Sequence, residues 1–155
     1  MVLFDEHDFK NFPELTNAQL EQLRLISPHP QITEDFQATV TAVHDGDTVT
    51  LQTNFRDFTF PLRLSLVDSP ELNTGTPGQE ARNFLAGFVE GENVTIKINP
   101  LNRVGKFGRL LGDIITGGIS MSDLMVSSGH AVPFQFRRET ELPDLNKTFA
   151  VKQWF

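Results

Sequence analysis

Three short segments hold the residues with the types and spacing for chemistry: His44-Asp45-Gly46-Asp47-Thr48, Arg63-Leu64-Ser65-Leu66-Val67-Asp68-Ser69-Pro70-Glu71 and Val104-Gly105-Lys106-Phe107-Gly108-Arg109. Each alone has an ordinary structural account, respectively a hairpin turn, a buried strand ending at a proline, and a glycine-rich hairpin. Taken together they supply something more specific. Asp47, Asp68 and Glu71 are hard oxygen donors, the ligand type that Ca²⁺ or Mg²⁺ prefers. Gathered without a counterion they would repel one another. Arg63 and Arg109 carry planar guanidinium forks that match phosphate oxygens. Carboxylates for a cation, a further carboxylate for a water and two guanidiniums for a phosphate are the parts needed for metal-assisted phosphodiester hydrolysis.

Such groups need rigid elements to hold them, and the middle of the chain is patterned as strands. Residues 36–43 and Thr48–Gln52 alternate with period two and are joined through Asp45-Gly46, a dipeptide suited to a hairpin. Phe58–Val67 reads as a third strand, Val94–Ile98 as a fourth and Arg109–Thr116 as a fifth. Between the third and fourth, Ala81, Phe84, Leu85, Phe88 and Val89 recur at helical spacing and predict one buried face. A second helix is expected from Ser120, where Ser-x-x-Asp is a capping pattern. An N-terminal helix is expected over 17–26, capped by Thr16 and Gln19, with Leu20, Leu23 and Ile26 inward. This order predicts an α+β, mainly β fold: a five-stranded Greek-key barrel of the OB type. The predicted layout is an acidic helical extension over 1–35, the barrel over 36–138 and a tail over 139–155. One geometric demand follows. Arg63 and Asp68 are five positions apart and would face opposite sides of a flat strand, so a bend is required near Ser65–Val67.

Composition narrows the function classes. The chain has no cysteine and no tyrosine, which excludes disulfides, thiolate chemistry and any phenolic group, while it has 14 phenylalanines. Most of these are expected in the core. His7, His29, His44 and His130 show no metal-ligand spacing. The net charge of −7 counts against nucleic-acid binding until it is divided. Residues 1–35 carry seven acids and two bases, residues 36–138 ten acids and nine bases. The predicted barrel is thus nearly neutral, and a bound divalent cation would make it formally positive. No apolar run approaches a membrane span, and the N-terminus has no signal-peptide pattern, so a cytoplasmic location is the default expectation.

The three segments, in this order, resemble the thermonuclease or staphylococcal-nuclease-like family, whose signature is an Asp-Gly-Asp-Thr turn, an Arg-Leu-x-x-Val-Asp-x-Pro-Glu strand and a Lys-x-Gly-Arg turn. Gly78-x-Glu80-Ala81-x-x-Phe84 and residues 121–131 are similar to the family's helices. The resemblance covers about residues 36–136. It implies that Asp47 and Asp68 ligate Ca²⁺ through side chains and Ser69 through its carbonyl, where threonine is usual. It implies that Glu71 activates the attacking water and that Arg63 and Arg109 bind the scissile phosphate. Lys106, Phe107, Phe134 and Phe136 fall at or near positions that contact substrate; phenylalanine replaces the tyrosine usual there but keeps a stacking face.

The resemblance further implies a Ca²⁺-dependent endonuclease acting on DNA and RNA with little sequence preference and leaving 3′-phosphate ends. Two other readings bear on the same residues. A domain of this fold that had lost catalytic groups would act only as a nucleic-acid- or protein-binding module, whereas Asp47, Asp68, Glu71, Arg63 and Arg109 are all present here. An acidic interaction protein would use residues 1–35 as its working surface. A monomer is expected, with the N-terminal extension or the terminal Lys152-Gln153-Trp154-Phe155 as places for a protein partner; the latter is expected to pack back on the barrel.

Overall fold

The computed structural model describes residues 7–23, 27–105 and 108–134. Its order is α1 (Asn17–Leu23), β1 (Phe36–Asp45), β2 (Thr48–Gln52), β3 (Phe60–Leu64), β4 (Val67–Asp68), a 3-10 turn (Leu72–Thr74), α2 (Thr76–Val89), β5 (Asn93–Lys97), β6 (Leu110–Thr116), β7 (Ile119–Ser120), α3 (Met121–Ser127) and β8 (Val132–Pro133). Strands pair in the order β3-β2-β1-β5-β6, and β3 closes on β6 in parallel, so five strands form a closed mixed barrel. The fold is the α+β, OB-type barrel expected from the sequence. No helix among the described residues is long and apolar enough to cross a membrane.

Alternation fills the barrel as the pattern dictates. Val40, Val49, Leu51, Leu62, Leu64, Ile96 and Ile114 point inward and are fully buried. Ala81, Leu85 and Val89 of α2 and Met121 and Met125 of α3 cap this core. Burying a side chain of this size contributes about 1.5–3 kcal/mol, so the barrel is a stiff frame for the loops at its rim. Both predicted caps form. Thr16 and Gln19 bond reciprocally, Gln19 N to Thr16 Oγ1 at 3.2 Å and Thr16 N to Gln19 Oε1 at 3.0 Å. Ser120 Oγ accepts from Asp123 N at 3.1 Å.

Three expectations need correction. The third strand breaks: β3 ends at Leu64, residues 65–66 turn, and β4 leaves the barrel to pair with β8. This is the bend that Arg63 and Asp68 required. α2 begins five residues before Ala81, because Pro77 presets the first turn where no amide partner is needed. α1 is described over Asn17–Leu23, within the expected helix, and Ile26 lies outside the described residues. Among the described residues few phenylalanines are fully buried, although Phe36, Phe58 and Phe84 pack against the core. Phe60 is buried, whereas Phe12, Phe55 and Phe88 are more than 40% exposed. Phe88 lies against the Phe84 ring, with 5.2 Å between centroids, rather than entering the core.

The acidic N-terminal segment is docked on the barrel through charges. Glu14 is buried and pairs with Arg56 and, at 3.4 Å, with Arg103. Its Oε1 also accepts from Ile32 N at 3.1 Å. Arg56 lies over the rings of Phe60 and Phe58, at 4.7 and 5.2 Å. Burial and the neighbouring Arg56 hold the His29 imidazole below its ordinary pKa.

Candidate active site

The Asp45-Gly46-Asp47 turn carries the first group. Register slips in β1 between Val40 and Ala42 and between Val43 and Asp45 twist its end, and Asp45 Oδ1 accepts from Asp47 N at 3.1 Å. The sequence marked Asp45-Gly46 as a dipeptide suited to a hairpin turn. Gly46 is needed for space: a Cβ there would lie 2.7 Å from Ser69 Oγ and 2.8 Å from the Ala81 Cβ. The turn is thereby pressed between the strand carrying Asp68 and helix α2. Asp47 Oδ2 accepts from Ser69 N at 3.0 Å and Oδ1 from Thr48 Oγ1 at 3.1 Å.

Gly46→Ala is expected to lower stability by about 1–3 kcal/mol through this overpacking, and to separate Asp47 from Ser69. Thermal unfolding and the Ser69 amide resonance in NMR check the two effects.

The bend after β3 brings the second segment to the same point. Arg63 Nη2 lies 3.1 Å from Asp68 Oδ1 and 3.4 Å from Asp47 Oδ2, while Arg63 Nη1 donates to Val67 O at 3.0 Å and to Leu64 O. The guanidinium therefore braces the bend and bridges both carboxylates. Directly after β8 comes Phe134, whose amide donates to Leu66 O at 2.9 Å and whose ring lies 5.6 Å from the Arg63 guanidinium carbon. Farther along, Ser69 and Pro70 lead to Glu71, exposed and extended at the head of the 3-10 turn. Gly78 of α2 packs so closely on the Glu71 carbonyl that no Cβ fits between them, which fixes the backbone beneath this side chain.

Parallel closure of the barrel pairs Arg63 with Leu111, and Arg109 precedes that strand in a turn closed by Gly105 N to Arg109 O at 2.8 Å. Arg109 Nη1 approaches Thr48 Oγ1 at 3.5 Å. Thr48 thus links the Asp47 carboxylate to the second guanidinium. Asp47, Asp68, Ser69, Arg63, Arg109 and Phe134 are brought to one rim, with Glu71 two residues beyond Ser69. Lys106, Phe107 and Phe136, like the terminal Lys152-Gln153-Trp154-Phe155, lie outside the described residues.

Two acids and one arginine escaped sequence reasoning. Asp45 sits against the site, its carboxyl pushed up to about 6, first by burial and then by the adjoining Asp47. Its place two residues before Asp47 was the available signal. Asp113 is buried and accepts from Ser122 N at 3.1 Å, Ser122 Oγ at 2.7 Å and Ser120 Oγ, which seats the start of α3. Arg103 is buried and no local pattern marks it.

No cluster of three or more His, Asp or Glu arranged for a metal occurs among the described residues. The donor chemistry nevertheless suits a hard divalent cation. One positively charged nitrogen already spans the Asp47 and Asp68 carboxylates, both donors are oxygen, and such cations complete their shells with carbonyls and water.

The family described as Staphylococcal nuclease homologue matches residues 61–152. The chain belongs to this staphylococcal nuclease homologue family. It is 30% identical over 141 residues to an uncharacterized protein, pXO1-141, of Bacillus anthracis, covering 87% of this chain and 60% of that protein. It is 33% identical over 76 residues to "Probable staphylococcal-like nuclease CAN3" of Oryza sativa subsp. japonica, covering 49% of this chain and 19% of the rice protein. A second rice protein, "Probable staphylococcal-like nuclease CAN2", is 32% identical over 76 residues, with 49% and 20% covered. The chain spans about three-fifths of the Bacillus protein and about one-fifth of each rice protein. For this staphylococcal nuclease homologue, the matched stretch takes in Arg63, Asp68, Ser69, Glu71 and Arg109, while Asp47 precedes it.

Proposed function

We propose that this staphylococcal nuclease homologue is a Ca²⁺-dependent phosphodiesterase that cuts DNA and RNA internally, with little sequence preference, leaving 3′-phosphate ends. The observation that carries the reading is the Arg63 guanidinium bridging Asp47 and Asp68, which joins a phosphate-binding fork to a pair of cation-binding carboxylates. In this proposal residues 36–138 form the catalytic unit, with residues 1–35 as an extension and 139–155 as a tail.

Asp47 and Asp68, with the Ser69 carbonyl, would hold the cation, which when bound polarises the phosphate and raises the acidity of nearby water. Glu71 takes the proton of the attacking water. Arg63 and Arg109 grip the non-bridging phosphate oxygens and stabilise the charge that builds on them in the five-coordinate transition state. Phe134, already against Arg63, offers a face on which a base can lie. With residues 36–138 close to neutral, substrate is held weakly and capture is sensitive to salt.

The test is cleavage of single-stranded DNA, duplex DNA and RNA by the purified protein, in Ca²⁺ or in chelator, with analysis of the ends. Cleavage that needs Ca²⁺ and leaves 3′-phosphates is expected. Absence of cleavage in Ca²⁺, or equal cleavage in chelator, overturns the proposal.

A further inference from the structure

The N-terminal segment grips the loop that delivers Arg109. Arg103, in the loop between β5 and β6, is 2% exposed and points away from solvent into residues 14–17. Its Nη2 donates to Leu15 O at 2.8 Å, its Nε to Asn17 Oδ1 at 3.2 Å, and its Nη1 meets Glu14 Oε1 at 3.4 Å. Asn17 Nδ2 donates to Pro100 O at 2.9 Å, a second tie to the same loop. From Arg103 the loop folds into a narrow hairpin. Leu111 N donates to Arg103 O at 2.8 Å, Gly105 N to Arg109 O at 2.8 Å and Gly108 N to Gly105 O at 2.9 Å.

Phe12 completes the grip at the outer end of that hairpin. Its ring lies so close over Gly108 that a Cβ on this residue would overlap it. Gly108 has φ of +81°, a conformation glycine adopts readily, and it directly precedes Arg109. The Phe12 backbone is itself fixed: its amide donates to Asp8 O at 2.9 Å, and its carbonyl lies 3.0 Å from His7 Nε2. A ring that is 42% exposed adds modestly to the core, yet it covers the residue next to a phosphate-binding arginine. A long arginine side chain loses rotamer entropy on being held, and fixing the backbone at its root limits where its fork can swing.

We infer that Phe12 is a positioning residue for Arg109, and that residues 12–17 clamp Pro100, Arg103 and Gly108 so that the Arg109 fork stays beside Thr48 at the rim carrying Asp47. The inference rests on the proposed function for its catalytic readout. Its structural readout is independent of turnover. Removal of the ring frees the hairpin and lets Arg109 leave Thr48. Retention of an aromatic ring keeps it in place.

The experiment compares wild type with Phe12→Ala, Phe12→Leu and Phe12→Tyr in the full chain. Amide resonances of Gly105 and Gly108 and the Nε–Hε resonance of Arg109 are followed by NMR, alongside kcat, KM and thermal unfolding. Phe12→Ala should shift these three resonances and lower kcat about tenfold, with KM changed less, while Phe12→Tyr stays close to wild type. Gly108→Ala should be less harmful in the Phe12→Ala background than alone, because the ring that would meet its methyl is gone. Unmoved resonances in a folded Phe12→Ala, or additive effects of the two substitutions, overturn the inference. If Phe12→Ala does not fold, the same resonances are read in Phe12→Leu, and their failure to move there overturns it equally. A wild type that does not cleave nucleic acid sinks the proposed function and leaves the NMR comparison to decide the clamp.

Discussion

Glu71→Gln is expected to lower kcat by about 10²–10⁴, the usual contribution of a general base, with Ca²⁺ affinity changed only a few-fold. The argument rests on where the residue stands. Glu71 is exposed at the head of the 3-10 turn, beyond the Asp47–Ser69 hydrogen bond that ties together the two segments proposed to hold the cation. Its backbone is set by the close approach of Gly78, independently of its carboxyl. Neutralising the side chain therefore removes a proton acceptor and leaves the Asp47 and Asp68 carboxylates where they were. Substitutions at exposed positions usually change stability by within about 0.5 kcal/mol, so thermal unfolding should hardly move. Single-turnover cleavage and calorimetric titration of Ca²⁺ on one preparation separate the roles. A Glu71→Gln protein with near wild-type turnover removes Glu71 as the base, and one that no longer binds Ca²⁺ makes it a ligand.

What was legible in the sequence was local. The Asp-Gly-Asp turn, the strand running from Arg63 to Glu71 and the Gly105–Arg109 turn each announce themselves within nine residues or fewer, and period-two alternation indicated that they belong to one barrel. The bend between Arg63 and Asp68 could be deduced because strand geometry left no other way for both side chains to meet. The N-terminal clamp had no such signal. Glu14 meets Arg56 across 42 positions and Arg103 across 89, and nothing around any of them distinguishes a buried ion pair from a solvated charge. The exposure of Phe88 was hidden for a related reason. Helical spacing shows which face of α2 is apolar, whereas tertiary packing decides how much of that face is covered. Gly46 was read through its turn-forming habit, when its contacts with Ser69 and Ala81 give it a packing role.

Arg63→Ala is expected to cost both turnover and stability, and the two losses should respond differently to Ca²⁺. Arg63 has one task in the proposed reaction and another in the structure. Its fork faces the phosphate in the proposed reaction, and in the absence of cation its Nη2 is the positive charge between Asp47 and Asp68. Loss of a transition-state guanidinium is worth about 10³–10⁵ in rate in other phosphoryl-transfer enzymes, and a fall of at least about 10³ is expected here. Removing one partner from a buried ion pair costs about 3–5 kcal/mol. These side chains are 8–16% exposed, so about 3 kcal/mol is expected, or roughly 6–12 °C in Tm for a chain of this size. A cation bound by Asp47 and Asp68 would then replace the missing charge. Saturating Ca²⁺ should accordingly raise the Tm of Arg63→Ala by more than it raises that of wild type, while turnover stays low. Arg63→Lys keeps the charge without the fork, so it should recover much of the Ca²⁺-free stability and little of the rate. Scanning calorimetry of the three proteins with and without Ca²⁺, beside their cleavage rates, decides the matter. Equal Ca²⁺-induced shifts in wild type and Arg63→Ala would mean that Asp47 and Asp68 are not where the cation binds.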